Sequence, residues 1–68
     1  MKIKYSAESD ILLIELKEGQ PVDAVDLKEG IILHLNDQNE PLEIEILDAA
    51  KVTSIEEIEL SIPPTKVA

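Results

Sequence analysis

Sixty-eight residues, fifteen acidic against six basic side chains and a formal net charge of −9 leave this chain few ways to stabilise itself and few kinds of partner. A chain of this length buries only roughly 60% of the surface its unfolded form exposes; without cysteine it has neither disulfides nor a thiolate zinc site, and its single histidine argues against a closed structural metal, which leaves local propensity or oligomerisation. All six basic residues are lysine and Tyr5 is the one aromatic, so nucleic acid and anionic membranes are not expected as partners.

Residues 1–5 open the chain as a short strand, with Ile3 and Tyr5 on one side and Lys2 and Lys4 on the other. This alternation, together with the lack of any apolar run of the ~18 residues a membrane span needs, predicts a cytoplasmic protein without a signal peptide. Ser6, Ser9 and Asp10 then predict a turn, because short polar side chains bond nearby backbone N–H groups. Residues 11–16 form the next strand, with Leu12, Ile14 and Leu16 on one face and Ile11 and Leu13 on the other. A strand apolar on both sides is normally covered on both sides.

Gly19 and Pro21 mark a second turn. Residues 22–27 predict an edge strand, whose Asp23 and Asp26 would discourage edge-to-edge aggregation. Lys28-Glu29-Gly30 is a tight turn into a strand over residues 31–35, with Ile31, Leu33 and Leu35 facing the core, and Asn36-Asp37-Gln38-Asn39-Glu40-Pro41 is the clearest hairpin loop. Its returning strand is Leu42-Glu43-Ile44-Glu45-Ile46-Leu47-Asp48, a strict alternation of aliphatic and carboxylate side chains broken at Leu47.

Beyond Asp48 the period changes. Residues 49–52 can make one helical turn; Thr53 or Ser54 as N-cap, with Glu56 or Glu57 three residues on, then predicts a helix carrying Ile55, Ile58 and Ile62 as its apolar stripe, stopped by Pro63-Pro64. The chain therefore predicts the α+β class: an antiparallel β-meander of four to five short strands with a C-terminal helix packed on one face, a single domain over residues 1–62 and a flexible tail over 63–68.

Lys4-Tyr5, then residues 10–16, Gly30-Ile31-Ile32-Leu33 and above all the Ile44-Glu45-Ile46-Leu47-Asp48-Ala49 run resemble the small prokaryotic family known as domain of unknown function 2283, over roughly residues 1–52. The chain departs from that family's pattern at Ser6-Ala7, where an aspartate–proline pair is expected, and at Leu13, where a tyrosine is. The resemblance implies no established activity and no catalytic residue. Because some members are encoded beside small toxins, it also implies an antitoxin-like role.

Motifs for chemistry are few. His34 lies opposite the core-facing residues of its strand with only Ile32 as a same-face neighbour there, so a general-base role lacks its partner groups, and a metal role would need Glu43 or Glu45 from across the hairpin. Asn36 to Glu40 superficially resembles a calcium loop, but counting from Asp37 the sixth position is Leu42 instead of glycine and the twelfth is Asp48 instead of glutamate. Glu8 with Asp10, and Glu43 with Glu45, sit two apart and share a wet face instead of opposing each other across a cleft. No catalytic residue, metal or cofactor is expected.

The surplus of apolar side chains on second faces is the stronger signal. Ile11, Leu13, Ile32 and Leu47, with Val25 and Leu27, fall opposite the primary core positions, and one short helix covers only one face of a sheet. Ile11, Leu13, Ile32, His34 and Leu47 are therefore the expected interface of a homodimer or higher oligomer, formed by sheet-face packing or by exchange of the C-terminal segment. These features predict a non-enzymatic, oligomeric protein-interaction module whose acidic surface engages a basic protein. The alternative is a ligand- or metal-binding protein with a site at a subunit interface around His34.

Overall fold

Alternating aliphatic and polar side chains satisfy a sheet with one dry face, and the computed structural model, which describes residues 1–64, contains five antiparallel strands. These are β1 (Lys2–Ser6), β2 (Ile11–Glu15), β3 (Asp23–Lys28), β4 (Ile31–Leu35) and β5 (Pro41–Leu47), followed by a single helical turn, α1 (Ala49–Val52). The expected α+β class and antiparallel sheet are therefore present. Their connectivity is not one continuous meander, because the spatial order is β1-β2-β5-β4-β3. β3, β4 and β5 follow one another as hairpins, but β2 pairs with β5, and residues 16–22 carry the chain from the middle of the sheet to its far edge. The longest strand, residues 41–47, thus becomes the centre of the sheet.

Each turn has a local cause. Ser9 donates its hydroxyl to Ser6 Oγ at 2.9 Å in the β1–β2 turn. Gly30 takes φ 83°, which the two-residue turn between β3 and β4 requires. In the β4–β5 loop the Asn36 side-chain oxygen accepts from the N–H groups of Gln38 and Glu40, both at 2.9 Å, while Asn39 adopts φ 65°. The 16–22 crossover stays close to the sheet because Gly19 has no side chain: a Cβ there would lie 2.8 Å from Cδ2 of the buried Leu42.

Register defines the two faces. Tyr5, Leu12, Ile46 and Ile31 lie side by side across β1, β2, β5 and β4, and Ile3, Ile14, Ile44, Leu33 and Val25 form the adjacent row. Val25 therefore belongs to the core face, not to the second face where its sequence position suggested; β3 slips register between Asp26 and Lys28, and Leu27 falls in that irregularity. At Asp48 the backbone turns left-handed, φ 51° and ψ 48°, and folds α1 back onto the core face. Ala49 is completely buried against Leu12 and Ile46, with Ile14, Ile31, Ile44 and Ile55 packed around them.

The long C-terminal helix predicted from residue 53 onward is not formed. Thr53 closes α1 instead of opening a second helix: its N–H and hydroxyl both donate to the Ala49 carbonyl, at 2.9 and 2.8 Å. Beyond it, among the described residues, only Ile55 reaches the core, and residues 57–63 are in neither helix nor strand. The physical reason is visible in the chain: Ile58, Leu60 and Ile62 recur every two residues, a strand period, and isoleucine is β-branched. Ile58, Leu60 and Ile62 are 52%, 69% and 76% exposed. Of the expected tail, residues 65–68 lie outside the described residues. Among the described residues no helix is long and apolar enough to cross a membrane.

The resulting core is thin. Leu12, Leu35, Leu42, Ile46 and Ala49 are the buried hydrophobics among the described residues, and the molecule measures 37 × 32 × 19 Å, close to the depth of one sheet with a single layer upon it.

Candidate functional site

The second face of the sheet collects the residues that the alternation left over. Ser6, Ile11 and Leu47 form its first row across β1, β2 and β5; Lys4, Leu13, Glu45, Ile32 and Asp26 the second, across all five strands; Lys2, Glu15, Glu43, His34 and Ala24 the third. All five residues expected at an interface, Ile11, Leu13, Ile32, His34 and Leu47, are thereby placed on this one face, and each is partly exposed. Leu47 breaks the aliphatic–carboxylate alternation of β5 because its neighbour across the strand pair is Ile11. Among the described residues no helix packs on this side; α1 and Ile55 are on the other.

The face is amphipathic along the strands. Ile11, Leu47, Leu13 and Ile32 crowd the end where β2 begins and β5 finishes, and an open depression of about 310 Å³ lies there, lined by Lys4, Tyr5, Ser6, Ser9, Ile11, Leu13 and Glu45. The opposite end is charged. Glu15 stands directly across from Glu43, and Glu43 directly across from His34, whose Nε2 lies 3.0 Å from Glu45 Oε1. The sequence placed His34 near these carboxylates across one hairpin. It did not reveal that Glu15 joins them, since β2 reaches β5 only through the long crossover. Among the described residues no three histidine, cysteine or acidic side chains converge in a way that would hold a metal ion.

A polar cluster on the rim ties the sheet to α1. Asp10, at φ 56°, accepts the Tyr5 hydroxyl at 2.7 Å through Oδ1 and the Ala50 N–H at 3.1 and 3.3 Å through its two oxygens, while its backbone carbonyl accepts the Ala49 N–H at 3.0 Å. The first turn of α1 is thus capped from another hairpin, and Asp48 at the N-cap position makes no side-chain bond itself. The hydrogen bond to Asp10 holds the Tyr5 phenol above its ordinary range, helped by partial desolvation and by the nearby negative charge. At the other end of the sheet, Glu40 accepts from Asn36 Nδ2 at 2.9 Å and meets Lys17 Nζ at 3.1 Å, and these contacts, the Asn36 bond foremost, hold its carboxyl below the usual carboxylate value.

These features define a small α+β domain, an open five-stranded antiparallel sheet with one face covered and the other carrying a half-exposed aliphatic patch beside a charged one. The chain belongs to the family described as protein of unknown function DUF2283, whose model matches residues 2–49. That span runs from the first residue of β1 to the first of α1, and it contains both Asp10 and Ala49, whose backbones are hydrogen-bonded to each other. No curated protein and no solved structure matches the chain.

Proposed function

We propose that this protein is a non-enzymatic interaction module that works as a homo-oligomer and presents an acidic surface to a basic protein, in the manner of an antitoxin. The observation that carries the reading is the grouping of Ile11, Leu47, Leu13 and Ile32, with Glu45 between the last two, on a face over which none of the described residues folds. Sheets bury such faces against one another at about 10 Å separation, and two copies meeting through the apolar end leave Glu15, Glu43 and His34 at the wet rim. A core of five buried hydrophobics among the described residues gives the pairing a thermodynamic purpose, since pairing extends the thin apolar layer of so short a chain.

The acidic excess supports the second half of the reading. With a formal charge of −9, the module attracts a basic protein at long range, and that attraction weakens as salt is added. Sedimentation equilibrium at micromolar concentration tests the self-association: the parent chain sediments as a dimer or larger species and Leu13→Glu dissociates it, whereas a folded 7.5 kDa monomer overturns the reading. Co-expression with the product of the adjacent reading frame, followed by a tag-based pull-down, tests the partner. No co-purifying basic protein at low salt overturns that half.

A further inference from the structure

Residues 57–62 belong to no element, yet their composition is that of a strand: Ile58, Leu60 and Ile62 alternate with Glu57, Glu59 and Ser61, and the aliphatic set is exposed. We infer that this segment pairs as a sixth strand along the β1 edge of a second copy, exchanged reciprocally between the two chains. The inference rests on the oligomeric reading above but uses a different surface, a sheet edge and not the open face.

The β1 edge suits this occupant in pattern and in charge. β1 forms five consecutive register pairs with β2, is exposed throughout, and among the described residues offers its other side to no strand. Its Ile3 and Tyr5, 40% and 41% exposed, extend the core face beyond what α1 and Ile55 cover. Its Lys2 and Lys4 extend the opposite face. A strand that runs parallel to β1 with Ile58 and Leu60 beside Ile3 and Tyr5 puts Glu57 and Glu59 beside Lys2 and Lys4, because both strands alternate with period two. Apolar meets apolar and acid meets base on the two faces at once. The backbone N–H and C=O groups of the edge would be satisfied in the same step.

The other edge does not suit it. β3 carries Asp26 on the face that would take the segment's glutamates and Asp23 on the face that would take its isoleucines, and its ladder slips between Asp26 and Lys28. Pro63 and Pro64 delimit the pairing from the C-terminal side, since proline has no N–H to give a ladder. Within its own chain the segment belongs to no ladder of the sheet, and the last anchor before it is Ile55 on the core face. That leaves a donor strand without an acceptor and an acceptor edge without a donor on the same molecule, the condition for exchange between copies.

A charge-swap pair tests the inference by sedimentation equilibrium. One chain carries Lys2→Glu with Lys4→Glu, the other Glu57→Lys with Glu59→Lys, all at exposed positions where folding is unaffected, as circular dichroism will verify. Each variant alone places like charges opposite each other and associates at least about tenfold more weakly than the parent. An equimolar mixture restores parent-like association, since each chain then meets a complementary strand, a rescue that pairing within one chain cannot produce. Variants that self-associate like the parent, or a mixture that stays dissociated, overturn the exchange. Leu13→Glu separates the two surfaces: association lost there but kept in both charge variants overturns the exchange and leaves the open-face reading standing, and the reverse result overturns the open-face reading alone.

Discussion

The Asp10 carboxylate caps a helical turn whose Ala50 N–H lies forty residues away in sequence, at 3.1 and 3.3 Å from its two oxygens. Together with the Asp10 carbonyl on the Ala49 N–H, this fastens the β1–β2 hairpin to the end of β5 and holds the fully buried Ala49 against the sheet.

Asp10→Ala therefore removes the acceptor of a helix N–H and of the Tyr5 hydroxyl, and places an alanine at φ 56°. The expected loss is about 1–3 kcal/mol in urea unfolding. Asp10→Asn, which tolerates the left-handed conformation and keeps one acceptor oxygen, loses clearly less. Equal stability of the alanine variant and the parent would mean that the cap contributes nothing.

Tyr5 is the one aromatic residue, so its ionisation can be followed by ultraviolet absorbance without interference from others. The hydrogen bond to Asp10 places its titration above the ordinary 10.0 in the folded chain. A group raised on folding adds stability that is complete below its unfolded value and is lost as pH rises through the folded one. Stability thus declines on the alkaline side of 10.0, and Asp10→Ala, which removes both the acceptor and the charge, brings the phenol back toward its ordinary value.

Glu40 behaves in the opposite sense. Its carboxyl is lowered from 4.5 by the Asn36 bond and by Lys17, so its contribution is present above 4.5 and fades as pH falls through the lower folded value. Carboxyl chemical shifts across an acid titration should place Glu40 below the mean of the other glutamates. Asn36→Ala and Lys17→Met each move it upward.

The Glu15–Glu43 pair sets two like charges directly opposite each other on partly buried strands. Such pairs oppose sheet formation, so Glu15→Thr should stabilise the fold by about 0.5 kcal/mol in urea. The same substitution at exposed Glu18, which has no strand partner, leaves stability unchanged. A destabilised Glu15→Thr would show that the carboxylate makes a compensating contact.

All five strands were legible from alternation, and the turns from Gly30, Asn36, Ser6 and Ser9, because these signals are local. The open face was legible too: Ile11, Leu13, Ile32, His34 and Leu47 each fell opposite a core position in their own strand, and strand pairing adds those faces together without altering them. The helix after Thr53 was misjudged on a capping pattern, because the Thr53 hydroxyl bonds backward to Ala49. Its apolar spacing already carried the opposite signal at Ile58, Leu60 and Ile62.

What the sequence determined by itself was therefore the list of strands, the wet and dry sides of all but β3, where Val25 proved to face the core, the acidic excess and the shortage of core, all consequences of side-chain period and composition. Only the tertiary structure decided that β5 lies between β2 and β4, that Glu15 faces Glu43, and that Asp10 caps a turn forty residues distant. Those relationships depend on which strand edges close onto one another, and a period-two pattern is blind to that choice because every antiparallel edge offers the same backbone groups.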